Sequence, residues 1–222
     1  LKKSKDLNKN INRILLTLKM YRINPYGSSD GGSMGSLFVV SGPSAVGKTT
    51  VVSYLVRSNP QVQRVITCTT RPKRQGEVNG QDYIFMTEKE FAQHKKDNDF
   101  AECSEVYGNH YGVLLESVRE SIKKYSASIL VINWEGFSKI KKFIKEDIIG
   151  IFITPPSMEE LRKRMDTRGL NQGQDLEKRM QEAEHDISFA KEYDIVIKNH
   201  DVEKTAASIM GIISQNISNE NN

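Results

Sequence analysis

Two cysteines in 222 residues, Cys68 and Cys103, leave no material for a disulfide framework. They have neither CxxC spacing nor histidines arranged with them for zinc, so free thiols in a reducing compartment are expected. Histidine is nearly as scarce, and His94, His110, His185 and His200 lie too far apart in sequence to suggest a metal site. No uninterrupted apolar run approaches the length of a membrane span, so none is expected. There are no internal repeats. The single tryptophan, Trp134, is expected to serve packing. Acidic residues are short by only four against the basic ones, and that excess is concentrated: residues 1–36 hold seven Lys and Arg against two Asp. The remainder is near neutral, which argues against a nucleic-acid-binding surface. What remains, 37% hydrophobic and 27% charged, suits a protein with one good core and small appended lobes.

The basic segment divides in two. Ile11, Ile14, Leu15 and Leu18 follow helical i, i+3, i+4, i+7 spacing among Lys, Arg and Asn, whereas Asn24 to Ser33 is glycine- and serine-rich linker. Residues 1–35 therefore read as a basic extension and linker. A loosely docked tail on a cytoplasmic protein is the expectation, with an organelle-targeting segment as the other reading.

The most informative stretch is Gly42-Pro43-Ser44-Ala45-Val46-Gly47-Lys48-Thr49, followed by Thr50. It matches Gly-x-x-x-x-Gly-Lys-[Ser/Thr], and it stands between an apolar strand-like run, Leu37 to Val40, and a helix-periodic one, Thr50 to Val56. Glycines at both ends let successive N–H groups wrap a phosphate at the positive end of a helix. Gly42, Ser44, Ala45, Val46, Gly47, Lys48, Thr49 and Thr50 are thus candidate contacts to a nucleoside triphosphate. Lys48 supplies a mobile charge, and the Thr49 hydroxyl suits magnesium.

Beyond that loop, apolar strands are expected at Val62 to Thr67, Ile129 to Ile132, Ile148 to Ile153 and Ile195 to Ile197, separated by polar or helical sequence. This alternation implies an α/β fold with a parallel sheet covered on both faces. Between Gln75 and Leu114 the pattern changes to an inserted lobe: a helix opened by the capping-box pair Thr87 and Glu90, then a hairpin turning at Gly108-Asn109. Ser157 and Glu160 form a second capping-box pattern. The helix it opens carries Arg162, Arg164 and Arg168 into a glycine-containing loop, and a long helix begins near Asp175, so the pair suits a hinged lid.

The segments Ser41 to Thr50, Thr69-Thr70-Arg71-Pro72-Lys73-Arg74, Gly76 to Tyr83, Glu102 to Gly112, Pro155-Pro156-Ser157 and Arg168-Gly169 occur in an order that resembles the guanylate kinase family. The resemblance runs from about Leu37 to the C-terminus. It implies a P-loop nucleoside monophosphate kinase fold spanning 36–222, with a core (36–70, 115–166 and 193–222), a GMP-binding lobe (71–114) and a lid (167–192). It further implies ATP as phosphate donor, GMP as acceptor, Mg2+, and a monomer.

Arg71 and Arg74 can present two guanidinium forks to one phosphate, with hydroxyls from Tyr83 and Tyr111. Isolated arginine pairs are ordinarily solvated surface residues, and here the motif changes their meaning. By matching position, Glu102 would accept hydrogen bonds from guanine N1–H and its N2 amino group, Thr67 would offer a hydroxyl to O6, and Asn133 would line the same pocket. Lys48, Arg74, Arg168 and Arg179 would spread charge on the migrating group. Arg164 would assist on the ATP phosphates, and Asn199 matches a position near the adenine; Arg162 and Lys163 read as a solvated helix face.

Three departures stand out. Thr67 replaces a common serine and keeps the hydroxyl. Val113 replaces a serine and cannot donate. Val131 and Asn133 stand where the family often has acids, and weakened or rearranged contacts are expected there. A noncatalytic guanylate-kinase-like interaction module is the competing reading, and the complete Gly47-Lys48-Thr49 end of the loop argues against it.

Overall fold

The computed structural model describes residues 35–106, 108–143, 148–167 and 174–220. The expected tail helix and linker, most of the glycine-containing loop, and Arg168 with it lie outside them.

Leu37, Phe38, Val39 and Val40 are at most 5% exposed, which identifies β1 (Ser36–Ser41) as a central strand covered on both faces. Around it forms a five-stranded parallel sheet with β2 (Val62–Arg64), β7 (Ala127–Val131), β8 (Ile148–Thr154) and β9 (Ile195–Lys198), in the order β2-β7-β1-β8-β9. Every pairing is parallel, with Phe38 level with Ile129 on one side and Ile149 on the other.

Helices α1 (Lys48–Ser58) and α7 (Val202–Glu220) cover one face, burying Val51, Val52, Leu55, Ile209 and Ile213. Leu161 and Met165 of α5 (Met158–Thr167) and Met180 and Ala183 of α6 (Gln174–Ser188) join the same cluster. The other face is closed by Val118 and Ile122 of α3 (Leu115–Lys124) and by Phe137 and Ile140 of α4 (Trp134–Phe143). Trp134 does pack: its ring stacks on Phe189 with centroids 4.6 Å apart.

A second sheet, ordered β4-β3-β6-β5, is mixed: β3 (Cys68–Thr69) runs parallel to β4 (Ile84–Phe85), while β6 (Asn109–Leu114) is antiparallel to both β3 and β5 (Phe100–Val106). Phe91 of α2 (Glu88–Asp97) stacks on Phe100 to form its small core with Cys68. Burial pushes the Cys68 thiol up to about 12, which keeps it an inert core group. The expected strand Val62 to Thr67 is divided between the sheets. Val65 N–H still bonds Ile129 O, but two residues later Thr67 O accepts from Ile84 N–H, so the chain changes sheets and partners there.

The box at α2 forms in both directions, Glu90 N–H to Thr87 Oγ1 at 3.2 Å and Thr87 N–H to Glu90 Oε2 at 2.7 Å. At α5 Ser157 Oγ accepts from Glu160 N–H, but the Glu160 carboxylate takes Arg164 Nε instead, at 3.0 Å. The stronger partner draws it away, because a guanidinium bond is charge-assisted.

Candidate active site

The loop of residues 42–47 leaves the C-terminal end of β1 and enters α1. Gly42 (φ 145°) and Gly47 (φ 102°) hold left-handed backbone, and a side chain on Gly42 would strike Ile153 O while one on Gly47 would meet Asn199 Nδ2 at 2.6 Å. Ala45 also has positive φ. Ser44 is half-buried between these glycines, whereas Ala45 and Val46 turn inward. Gly47 caps α1 without a side-chain hydrogen bond, and no acidic residue stands in the first turn. The positive helix end is therefore open to an anion. Thr49 and Thr50 are exposed on that turn. Lys48 Nζ folds back onto the loop, donating to Gly42 O at 2.6 Å and Pro43 O at 2.8 Å.

The rear of the loop is pinned. Asn199 is 3% exposed; its Nδ2 donates to Val46 O at 2.8 Å, its Oδ1 accepts from Thr205 Oγ1, and its N–H reaches Thr154 O at the end of β8. Arg164 donates to the same Val46 carbonyl at 3.4 Å and to Asn199 O at 3.5 Å. Arg164, expected to assist on the ATP phosphates, and Asn199, expected near the adenine, thus both hold the rear of the loop through the Val46 carbonyl. Asp186, on α6, lies within electrostatic range of Lys48; burial first, then Glu135, raises its carboxyl to about 6 against the pull of Lys48. Arg179 is half-buried on the same helix. Arg162 of α5 forms a two-pronged bond to Glu177 of α6, which gives this exposed arginine an interhelical role.

The second sheet gathers a different set. Thr69, fully buried, donates through Oγ1 to His110 O and accepts from Arg71 N–H, which fixes the start of the arginine segment on β6. Arg71 lies over the rings of Tyr83 (5.5 Å) and Phe85 (5.7 Å), and Tyr83 meets Tyr111 edge to face at 6.2 Å. Burial raises the Tyr83 phenol, so it stays a donor at neutral pH. Arg74 is exposed at the rim.

Sequence reasoning missed Glu77. Its Oε1 takes Arg71 Nη2 at 2.7 Å and its Oε2 takes Arg74 N–H at 2.7 Å, so one carboxylate ties the two arginines together. Burial raises the Glu77 carboxyl, but the Arg71 bond and the Arg74 N–H outweigh it and hold it below the usual range. Its place inside the quoted Gly76 to Tyr83 segment was the available signal.

Glu102, 5% exposed on β5, stands opposite Val113 of β6. Lys139 of α4 reaches its Oε1 at 3.2 Å. Burial raises the Glu102 carboxyl above the ordinary range, Lys139 draws it back, and Glu135 pushes it up again. Thr67, 7% exposed, lies just before β3. Asn133 Oδ1 accepts from Gly136 N–H at 3.0 Å, so it caps α4. An aspartate could do the same, and the exchange preserves the cap while removing a charge.

An anion-binding loop at the C-terminal edge of a parallel sheet, with a second sheet carrying guanidinium, phenol and carboxylate groups, defines a P-loop α/β protein that handles nucleotide phosphates. The guanylate kinase family model matches residues 34–216. The chain is 36% identical over 183 residues to a guanylate kinase of Wolbachia pipientis, covering 82% of this chain and 91% of that protein. It is 40% identical over 180 residues to one from Shewanella violacea, covering 81% and 86%. The crystal structure of guanylate kinase from Anaplasma phagocytophilum superposes with a TM-score of 0.69 at 34% identity, covering 83% of this chain and 87% of that one. The chain belongs to the guanylate kinase family.

Proposed function

We propose that this chain transfers the γ-phosphate of ATP to GMP, giving ADP and GDP. The observation that carries the reading is the complete phosphate loop of a family member, with Lys48 in place and the positive end of α1 left uncapped. A noncatalytic interaction module has no need of that lysine.

ATP phosphates would lie in the loop against backbone N–H groups from 42–47 and the first turn of α1, with Lys48 leaving its carbonyl partners for the outer phosphates. GMP would place its phosphate on Arg71 and Arg74 with the Tyr83 and Tyr111 hydroxyls, displacing Glu77 from Arg71. Its base would meet Glu102 and Thr67. A GMP phosphate oxygen attacks the γ-phosphorus as the bond to the ADP oxygen breaks. That oxygen is already anionic, so no proton-transfer residue is required; positioning and charge neutralisation by Lys48, Arg74, Arg168 and Arg179 suffice.

Among the described residues no cluster of His, Cys, Asp or Glu could hold a metal on its own. This fits magnesium arriving with the nucleotide, since the ion keeps waters and binds through substrate phosphates. The exposed Thr49 hydroxyl, next to Lys48, is the residue that would hold it, and the ion would neutralise β- and γ-phosphate charge. Residues 71–114 act as the GMP-binding lobe and 167–192 as a lid over ATP. The protein works as a monomer in the cytoplasm; among the described residues no helix is long and apolar enough to cross a membrane. The test is a coupled ADP-release assay with ATP and a panel of monophosphates: GMP and dGMP support turnover and AMP does not. ADP release independent of any monophosphate, or equal use of AMP, would overturn the assignment.

A further inference from the structure

Glu102 presents an unusual problem for a base-reading residue. Its side chain is 3% exposed, and the residue opposite it on β6 is Val113, whose side chain has no polar atom to give. A carboxylate stripped of water in this way favours its neutral form unless a cation compensates it. The neighbouring elements supply few charges. From α4, Lys139 Nζ lies 3.2 Å from Oε1 and also reaches Cys103 O at 3.4 Å, while Glu135 on the same helix acts in the opposite direction. On β5 itself the adjacent titratable group is Cys103, whose thiol burial holds in its protonated form. Oε2 lies against Gly136, where even a β-carbon would come within 3.2 Å of it. Asn133, which meets the same Gly136, is uncharged and is occupied in capping α4.

We infer that Lys139 is a specificity-determining positioning residue, which keeps Glu102 as the double acceptor that guanine requires. The inference rests on the reading of Glu102 as the guanine contact. A carboxylate offers about four lone-pair sites, so Oε1 can keep Lys139 while both oxygens accept from N1–H and the N2 amino group. A protonated Glu102 would instead carry a donor. It would repel guanine N1–H and could pair with the unprotonated N1 of adenine, so Lys139 sets the choice of base without touching it. Burial and Glu135 push the Glu102 carboxyl up and Lys139 opposes them, so its removal moves the ionisation further toward neutral pH.

The experiment follows the Glu102 carboxyl resonance through a pH titration by 13C NMR in wild type, Lys139→Met, Lys139→Gln and Lys139→Arg, alongside GMP and AMP kinetics across the neutral range. Lys139 is 38% exposed, so these variants leave the core intact. In the Met and Gln variants the resonance should titrate at higher pH and KM for GMP should rise roughly tenfold at neutral pH, with kcat at saturating GMP retained. The GMP-to-AMP preference should narrow, and Arg should restore all three. An unchanged carboxyl titration, or a KM loss that neither follows pH nor recovers with Arg, overturns the role of Lys139. Glu102→Gln separates the two failures: if that change leaves KM for GMP untouched, Glu102 does not read guanine, whatever Lys139 does to its ionisation.

Discussion

Asn199 and Val46 are 153 residues apart in sequence, yet the amide of one donates to the carbonyl of the other at 2.8 Å. That bond is buried, and it joins the end of β9 to the middle of the phosphate loop. Removing it leaves Val46 O short of its best partner, with Arg164 at 3.4 Å as the remaining support. Asn199→Ala should cost about 1–3 kcal/mol of stability and raise KM for ATP. Because the effect runs through the loop, binding of ATP and of inorganic tripolyphosphate should weaken by the same factor in calorimetry. A loss confined to ATP would mean that Asn199 meets the base directly.

Lys48→Ala should leave the fold intact, since the two bonds it removes go to carbonyls of the loop itself. Turnover should fall by roughly 10²–10³ or more, the scale of removing one preorganised charge from a developing transition state. Steady-state rates with circular dichroism as the folding control provide the check, and near-normal turnover would contradict the mechanism.

Arg71→Lys should raise KM for GMP despite keeping the charge. A lysine cannot hold Glu77, lie flat over Tyr83 and Phe85, and present a fork to phosphate. The ATP constant should be unaffected. Glu77 adds a pH dependence: its carboxyl is held below the ordinary value, so its stabilisation is present above that value and lost as pH falls through the folded one. Glu77→Gln should remove that part of the acid sensitivity in thermal melts.

Asp186 carries the opposite sign. Its carboxyl is raised from 3.8 to about 6, so the fold favours the protonated form. The associated stability is fully present below about 3.8 and is lost as pH rises through about 6. Asp186→Asn should flatten the wild-type decline across that window in melts of the nucleotide-free protein. A variant that follows the wild-type curve would contradict the burial that raises this carboxyl.

Much of this was legible in sequence where the physics is local. The continuous apolar runs at Leu37 to Val40 and Ile148 to Ile153 read as buried strands, and Gly42 and Gly47 marked the loop because their backbone angles favour glycine. The capping box at Thr87 and Glu90 is a three-residue relationship. Two-residue strands such as β3 and β4 leave no periodicity, so the point where the chain changes sheets was invisible. Glu160 matched a box and took an arginine, a competition that spacing does not resolve. The Lys139–Glu102 pair joins residues 37 apart on a helix and a strand, and only the packing of α4 on β5 brings them together.

The base assignment rests on Glu102, and the paired Michaelis constants of Glu102→Gln test it most directly. The glutamine removes the charge and turns a donor toward guanine N1–H or N2, so KM for GMP should rise roughly a hundredfold. KM for ATP, set at the loop around Lys48, should move little. IMP, which lacks the N2 amino group, should lose less than GMP. Equal losses for ATP and GMP, or an unchanged KM for GMP, would place the guanine site elsewhere.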